Sequence, residues 1–150
     1  MHVVSGIRKR EVVMIGGDLN GHVGASAEGY EGVHGRSGFE ARNTEGVRIL
    51  EFGDAFDMVV CNTMFKQRPS RLITFESGGI KSQIDYFLVG RLDRKFVKDV
   101  KAIDGEEYAL QHRLLVCDVK LSWSREKEET LRLKEKSMET KRSECKGTFL

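Results

Sequence analysis

Apolar side chains come in short bursts along this chain, and the spacing within each burst predicts a different element. Val12–Ile15 is an apolar run closed by Gly16-Gly17, which reads as a buried strand entering a loop. Residues 16–38 carry eight glycines, a density that neither helix nor strand tolerates, so a long shaped loop is expected there. Asn43 or Thr44 can cap a helix running through Val47, Leu50, Ala55 and Phe56. Met58–Cys61 reads as a second buried strand, and residues 66–71, with the sole proline Pro69, as a connection. Leu72–Glu76 and Ser82–Val89 are strand-like runs separated by Ser77-Gly78-Gly79-Ile80-Lys81, a hairpin signal. Arg113–Trp123 alternates, with Leu115, Cys117, Val119, Leu121 and Trp123 on one face. From Ser124 onward apolar residues thin out without a stripe, as in a solvated helix or a disordered tail. The pattern thus divides the chain into one mixed helix–strand body, 1–123, and a tail, 124–150.

Composition narrows the class. The length of 150 residues suits one domain. No apolar run approaches the ~20 residues of a membrane span, and MHVVSGIRKR lacks the apolar core of a signal peptide. A protein inside the cell, nuclear or cytoplasmic and without membrane contact, is expected. The net charge of +2 comes from 25 basic and 23 acidic residues. Eight of the basic and six of the acidic ones lie in 124–150, leaving 17 of each in the body. The body is formally neutral, which excludes a strongly basic nucleic-acid coat but not a local groove. Cys61, Cys117 and Cys145 show no C-x-x-C spacing, so free or buried thiols are expected, not a zinc ribbon or a redox pair.

Three places could carry chemistry. In Gly17-Asp18-Leu19-Asn20-Gly21 a strand ends and two polar side chains follow at i and i+2. If extended geometry persists they share one side; the alternative is an Asx turn. Asp85 lies in the apolar run Ile84–Val89, where a carboxylate must be paired, face a site, or sit on an edge strand facing water. His112 opens the last strand, where an imidazole can meet a substrate or be an ordinary surface histidine. If the two strands are neighbours, Asp85 can orient His112 as a triad aspartate does. His2, His22 and His34 have no spaced partners and read as structural. Phosphate-loop, serine-hydrolase and H-E-x-x-H templates are absent.

In order, GDLN, then IDYFLV, then a histidine opening a final apolar strand resemble the exonuclease–endonuclease–phosphatase superfamily. VVMIGGDLNGHVG, EGVRILEFGDAFDMVVCNT, SQIDYFLVG and QHRLLVCDVKL are similar to the apurinic/apyrimidinic-like endonuclease domain of non-LTR retrotransposons, over roughly residues 10–123. The resemblance implies an α+β fold of the deoxyribonuclease I type, a four-layer α/β/β/α sandwich of two mixed sheets with helices outside. It implies a magnesium-dependent phosphodiesterase acting on DNA. Residue by residue, Asp18 matches the water-activating aspartate, Asn20 the phosphate-binding asparagine, Asp85 the carboxylate that orients the histidine, and His112 the histidine at the scissile phosphate. Thr74 and Phe75 match a threonine–aromatic pair expected to touch substrate. Gln111 stands where the family has a metal-binding Asp, and a neutral amide is the poorer magnesium ligand.

GDLN begins at residue 17, so the family's N-terminal half, with its Asn-containing strand and main metal-binding Glu, has no counterpart. The expectation is a truncated endonuclease of retrotransposon origin with little or no intrinsic activity. The alternative is a non-enzymatic remnant serving as a protein-interaction or nucleic-acid-binding module. A fold cut between its sheets would expose an apolar sheet face, favouring self-association or a protein partner.

Overall fold

The computed structural model describes residues 11–107 and 111–121. The tail expected at 124–150, Trp123, His2 and Cys145 lie outside them. Strand β1 is Met14–Asp18, helix α1 Thr44–Ala55 and strand β2 Met58–Val60. A 3-10 turn (Cys61–Met64) and a short helix α2 (Pro69–Leu72) lead into the hairpin β3 (Phe75–Ser77) and β4 (Ile80–Ser82). Strand β5 (Asp85–Gly90), a second 3-10 turn (Arg91–Phe96), β6 (Val97–Glu107) and β7 (Arg113–Val119) complete the order. The class is α+β: every pairing among the described residues is antiparallel, unlike the mixed sheets that the resemblance implies.

The central sheet has the order β1-β5-β2. Its side chains alternate between two cores, as the two-residue period of a strand requires. Met58, Val60, Tyr86 and Leu88 face one core, with Ile49 and Leu50 of α1 and with Val23 and Val33 of the loop. Val59, Val89 and Phe87 face the other, with Cys61, and with Val97, Val100, Leu115 and Cys117 of the β6–β7 pair. The central sheet is therefore covered on both faces. Helix α1 buries Gly46, Ile49, Leu50 and Gly53, the i, i+3, i+4, i+7 stripe of an amphipathic helix. Asn43 caps it by accepting from the Gly46 N–H at 2.8 Å. Gly46 lies so close to the His22 carbonyl that any side chain would collide.

The glycine-rich loop forms part of the first core. It runs from residue 19 to 43 without helix or strand, yet Val23, Ala27, Val33 and His34 are buried. Arg42 holds it: Nε donates to the Val23 carbonyl at 3.1 Å, Nη1 to Glu28 at 2.9 Å and Nη2 to Ser26, with the guanidinium over the Tyr30 ring.

Several readings of the pattern change: no residue of the Val12–Ile15 run is buried, and Leu72–Glu76 spans the end of α2 and the start of β3 rather than one strand. The run Ser82–Val89 is two strands: Ser82 pairs with Phe75 in the hairpin, while Asp85 pairs with Asp18 in the central sheet. Gly78 and Gly79, both at positive φ, close the hairpin as a two-residue turn. Strand β6 was not legible, because a register shift between Val97 and Asp99 breaks the alternation that marks a strand. Leu115 and Cys117 pack inward as expected, whereas Val119 and Leu121 are exposed. Among the described residues no helix is long and apolar enough to cross a membrane.

Candidate active site

Asp18 is the last residue of β1 and Asp85 the first of β5, and the two are cross-strand partners. Like charges placed opposite one another on a sheet repel, so a positive or proton-sharing group is needed nearby. His112 is that group. A backbone bridge from Phe75 to His112 carries the chain across the hairpin edge just before β7. This sets the imidazole against the carboxylates: Nδ1 lies 3.2 Å from Asp85 Oδ2, and Nε2 lies 3.9 Å from Asp18 Oδ2. The first distance is a hydrogen bond and the second is too long for one. Three residues separated by up to 94 positions thus meet at one point.

Burial differs among them in a way that assigns the bond. The Asp85 side chain is 16% exposed, His112 32% and Asp18 44%. Asp85 lies on the central strand of its sheet, so the edge-strand alternative falls. Its carboxylate accepts from His112 Nδ1–H, which leaves Nε2 as the nitrogen toward Asp18. The three side chains line an open cleft of about 460 Å³. Its floor is the Phe87 ring lying over Gly16, where a Cβ would come within 2.5 Å of the ring, and its wall is Leu114 and Leu115. Arg113 also lines it, but its guanidinium donates to Glu76 Oε2 at 2.7 Å and to the Ser70 carbonyl at 3.1 Å.

The other expected site residues take different places. Asn20 does not share a side with Asp18: its φ is +50°, and its N–H donates to Asp18 Oδ1 at 2.8 Å. That is the Asx-turn alternative. Thr74 is fully buried, and its hydroxyl accepts from the N–H groups of Ile84 and Asp85 at 3.0 and 3.1 Å. Phe75 meets the His112 ring edge-on, with centroids 4.9 Å apart. Gln111 turns away, its amide donating to Ser77 Oγ at 2.9 Å. Of the histidines read as structural, His22 pairs with Glu40 at 3.2 Å and His34 is buried in the loop. Cys61 and Cys117 are free thiols, with burial pushing Cys61 up to about 12.

Magnesium takes six oxygens in near-octahedral geometry, usually from one or two carboxylates, water and phosphate. Here Asp85 is engaged by His112, Asp18 accepts from Asn20, and Gln111 points elsewhere. Among the described residues no group of three or more His, Cys, Asp or Glu is placed to hold a metal ion. The described residues by themselves do not fit the ion.

The chain is similar to craniofacial development protein 2. The protein of that name from Bos taurus is 33% identical over 122 residues, 80% of this chain and 20% of that protein. That from Tragulus javanicus is 32% identical over 122 residues, 80% of this chain and 21% of that protein. The chain therefore spans about a fifth of the length of the curated relatives it matches. No family model and no solved structure matches it.

Sequence reasoning missed Asn62 and Phe87. Asn62 is buried, with its amide nitrogen 3.1 Å from the Asp85 carbonyl and its oxygen 2.9 Å from the Phe87 N–H. A polar residue directly after the buried run Met58–Cys61 was the available signal.

Proposed function

We propose that this chain carries the proton-transfer part of a phosphodiester-hydrolysing site of the endonuclease–exonuclease–phosphatase kind. DNA is its substrate class, a retrotransposon endonuclease its origin, and its intrinsic activity is low. The observation that carries the reading is the convergence of Asp85, His112 and Asp18 on one cleft. The motif resemblance and the similarity to craniofacial development protein 2 support it.

The chemistry follows from the hydrogen bonding. Asp85 holds the His112 ring with Nδ1 protonated and stabilises the imidazolium that forms when Nε2 takes a proton. Asp18, the more exposed carboxylate, accepts a hydrogen bond from water entering the cleft and aligns it. Protonated at Nε2, His112 donates to a phosphate oxygen. Two carboxylates against one imidazole leave these three groups net negative whether or not the ring is protonated, so an anionic phosphodiester is repelled on approach unless a cation accompanies it. That is the physical reason to expect a low rate, and magnesium would need donors beyond the described residues.

The test is nicking of supercoiled plasmid in magnesium by the full chain, compared with His112→Ala. A rate that depends on His112, however small, supports the reading, and equal rates overturn it. A second reading, a binding module that associates with itself or a partner, draws on the exposed apolar side chains Leu114 and Val119 of β7. Light scattering that finds only monomer counts against self-association.

A further inference from the structure

The β5 strand is incompletely paired where it matters most. On one side β2 covers it only from Gly90 to Leu88, because the chain turns away into the 3-10 segment at Cys61. Below that point the Phe87 N–H and the Asp85 carbonyl face buried protein with no strand beside them. Asn62 fills the gap with a planar amide that acts as one peptide unit of the missing strand. Its Oδ1 accepts from the Phe87 N–H at 2.9 Å and its Nδ2 donates to the Asp85 carbonyl at 3.1 Å. At the start of the same strand, Thr74 Oγ1 accepts from the N–H groups of both Ile84 and Asp85.

Asp85 therefore has its backbone N–H and its backbone C=O each held by a buried polar side chain, 0% and 2% exposed. Thr74 also reaches the histidine side of the site. Its own carbonyl accepts from the Arg113 N–H at 2.8 Å, and the next residue, Phe75, bridges His112 through the backbone and packs on its ring. One residue is thus tied to Asp85 on one side and to both neighbours of the Asp85–His112 bond on the other.

We propose that Asn62 and Thr74 are positioning residues: they fix the Asp85 carboxylate against His112 Nδ1 and so hold the imidazole with Nε2 free toward the cleft. The functional weight of this rests on the phosphodiesterase reading, but the geometry and its test do not. The tautomer of a histidine is set by the bond its other nitrogen makes. Shifting Asp85 by less than an ångström stretches a 3.2 Å bond beyond hydrogen-bond range, and a released imidazole reverts to the mixed tautomers of a free ring.

The experiment is nitrogen-15 NMR of the histidine side chains in the full chain at one pH where His112 is neutral. The His112 signal is identified by its loss in His112→Ala. The wild type and Thr74→Ser are expected to show the Nδ1–H form. Thr74→Val, nearly the same shape without the acceptor, and Asn62→Asp, which keeps the acceptor for Phe87 and loses the donor to Asp85, are expected to show a mixture dominated by Nε2–H. Folded Thr74→Val or Asn62→Asp proteins with the wild-type tautomer overturn the proposal. If Thr74→Val does not fold, Asn62→Asp decides it alone. Because no substrate is present, a chain that fails to cut DNA can still pass this test, and one that cuts DNA can still fail it.

Discussion

His34 and His112 are the same side chain placed in irregular backbone, and the fold uses them in opposite ways. His34 sits in the glycine-rich loop at 1% exposure. Its Nε2–H donates to the Gly24 carbonyl at 2.8 Å, and its Nδ1 accepts from the Arg36 N–H at 3.0 Å. Both nitrogens are consumed by backbone, which fixes one neutral tautomer. Burial lowers its pKa from 6.5, against the pull of the Gly24 hydrogen bond, and the nearby Arg42 charge lowers it further. His112 is partly open to water, and its Nδ1 partner is a carboxylate. Backbone partners and burial make the His34 imidazole a strut, whereas the His112 ring, held by a carboxylate and partly exposed, is left open to the cleft.

The largest expected effect separates the two directly. His34→Ala leaves a cavity and two unsatisfied backbone groups, a loss of about 2–4 kcal/mol of unfolding free energy. His112→Ala, at a half-open site, is expected to cost less than about 1 kcal/mol. Urea denaturation of both variants checks this, and similar losses would break the comparison. Next in size is Thr74→Val, which strands the Ile84 and Asp85 N–H groups and is expected to cost about 1–3 kcal/mol. Thr74→Ser should recover most of that loss.

A pH series sharpens the contrast. Since His34 is harder to protonate folded than unfolded, the unfolded chain binds more protons below its ordinary value of 6.5. Stability contributed by the neutral ring is complete above about pH 6.5 and declines as pH falls toward the depressed folded value. His34→Gln should flatten that part of the stability–pH curve, and an unchanged slope would assign it to other groups. The smallest effect belongs to His22, whose pair with Glu40 is about one-third exposed. Its replacement by Gln should change stability by no more than about 0.5 kcal/mol, which sets the baseline for a histidine that neither braces the loop nor enters the cleft.

Much of this was readable along the chain. Asn43 as a helix cap, the Met58–Val60 strand, the Gly78-Gly79 hairpin and the structural role of His34 follow from local rules that act over a few residues. From the residues alone the pairing of Asp85 with His112 could be stated only on the condition that their strands be neighbours, and otherwise only through the resemblance; β5 and β7 lie in different sheets, and the bridge from Phe75 to His112 brings the pair together. Strand β6 was hidden because its bulge removes the two-residue period. The shared side expected for Asp18 and Asn20 depended on extended backbone, and the turn at Asn20 ended it. Asn62 drew no assignment and Thr74 was expected at the substrate, whereas both are buried and bind the backbone at Ile84–Phe87, which no local spacing reveals.

The sequence by itself determined which side chains are available for chemistry, where the helix begins, and that the body is neutral. These are properties of composition and of short-range spacing. Tertiary structure alone decided that the Ser82–Val89 run divides between two sheets, that Gln111 points to Ser77, and that Asp18, Asp85 and His112 face one cleft. The physical reason is that a hydrogen-bond partner across a sheet, or a carboxylate presented by another strand, leaves no mark on the periodicity of either segment that supplies it.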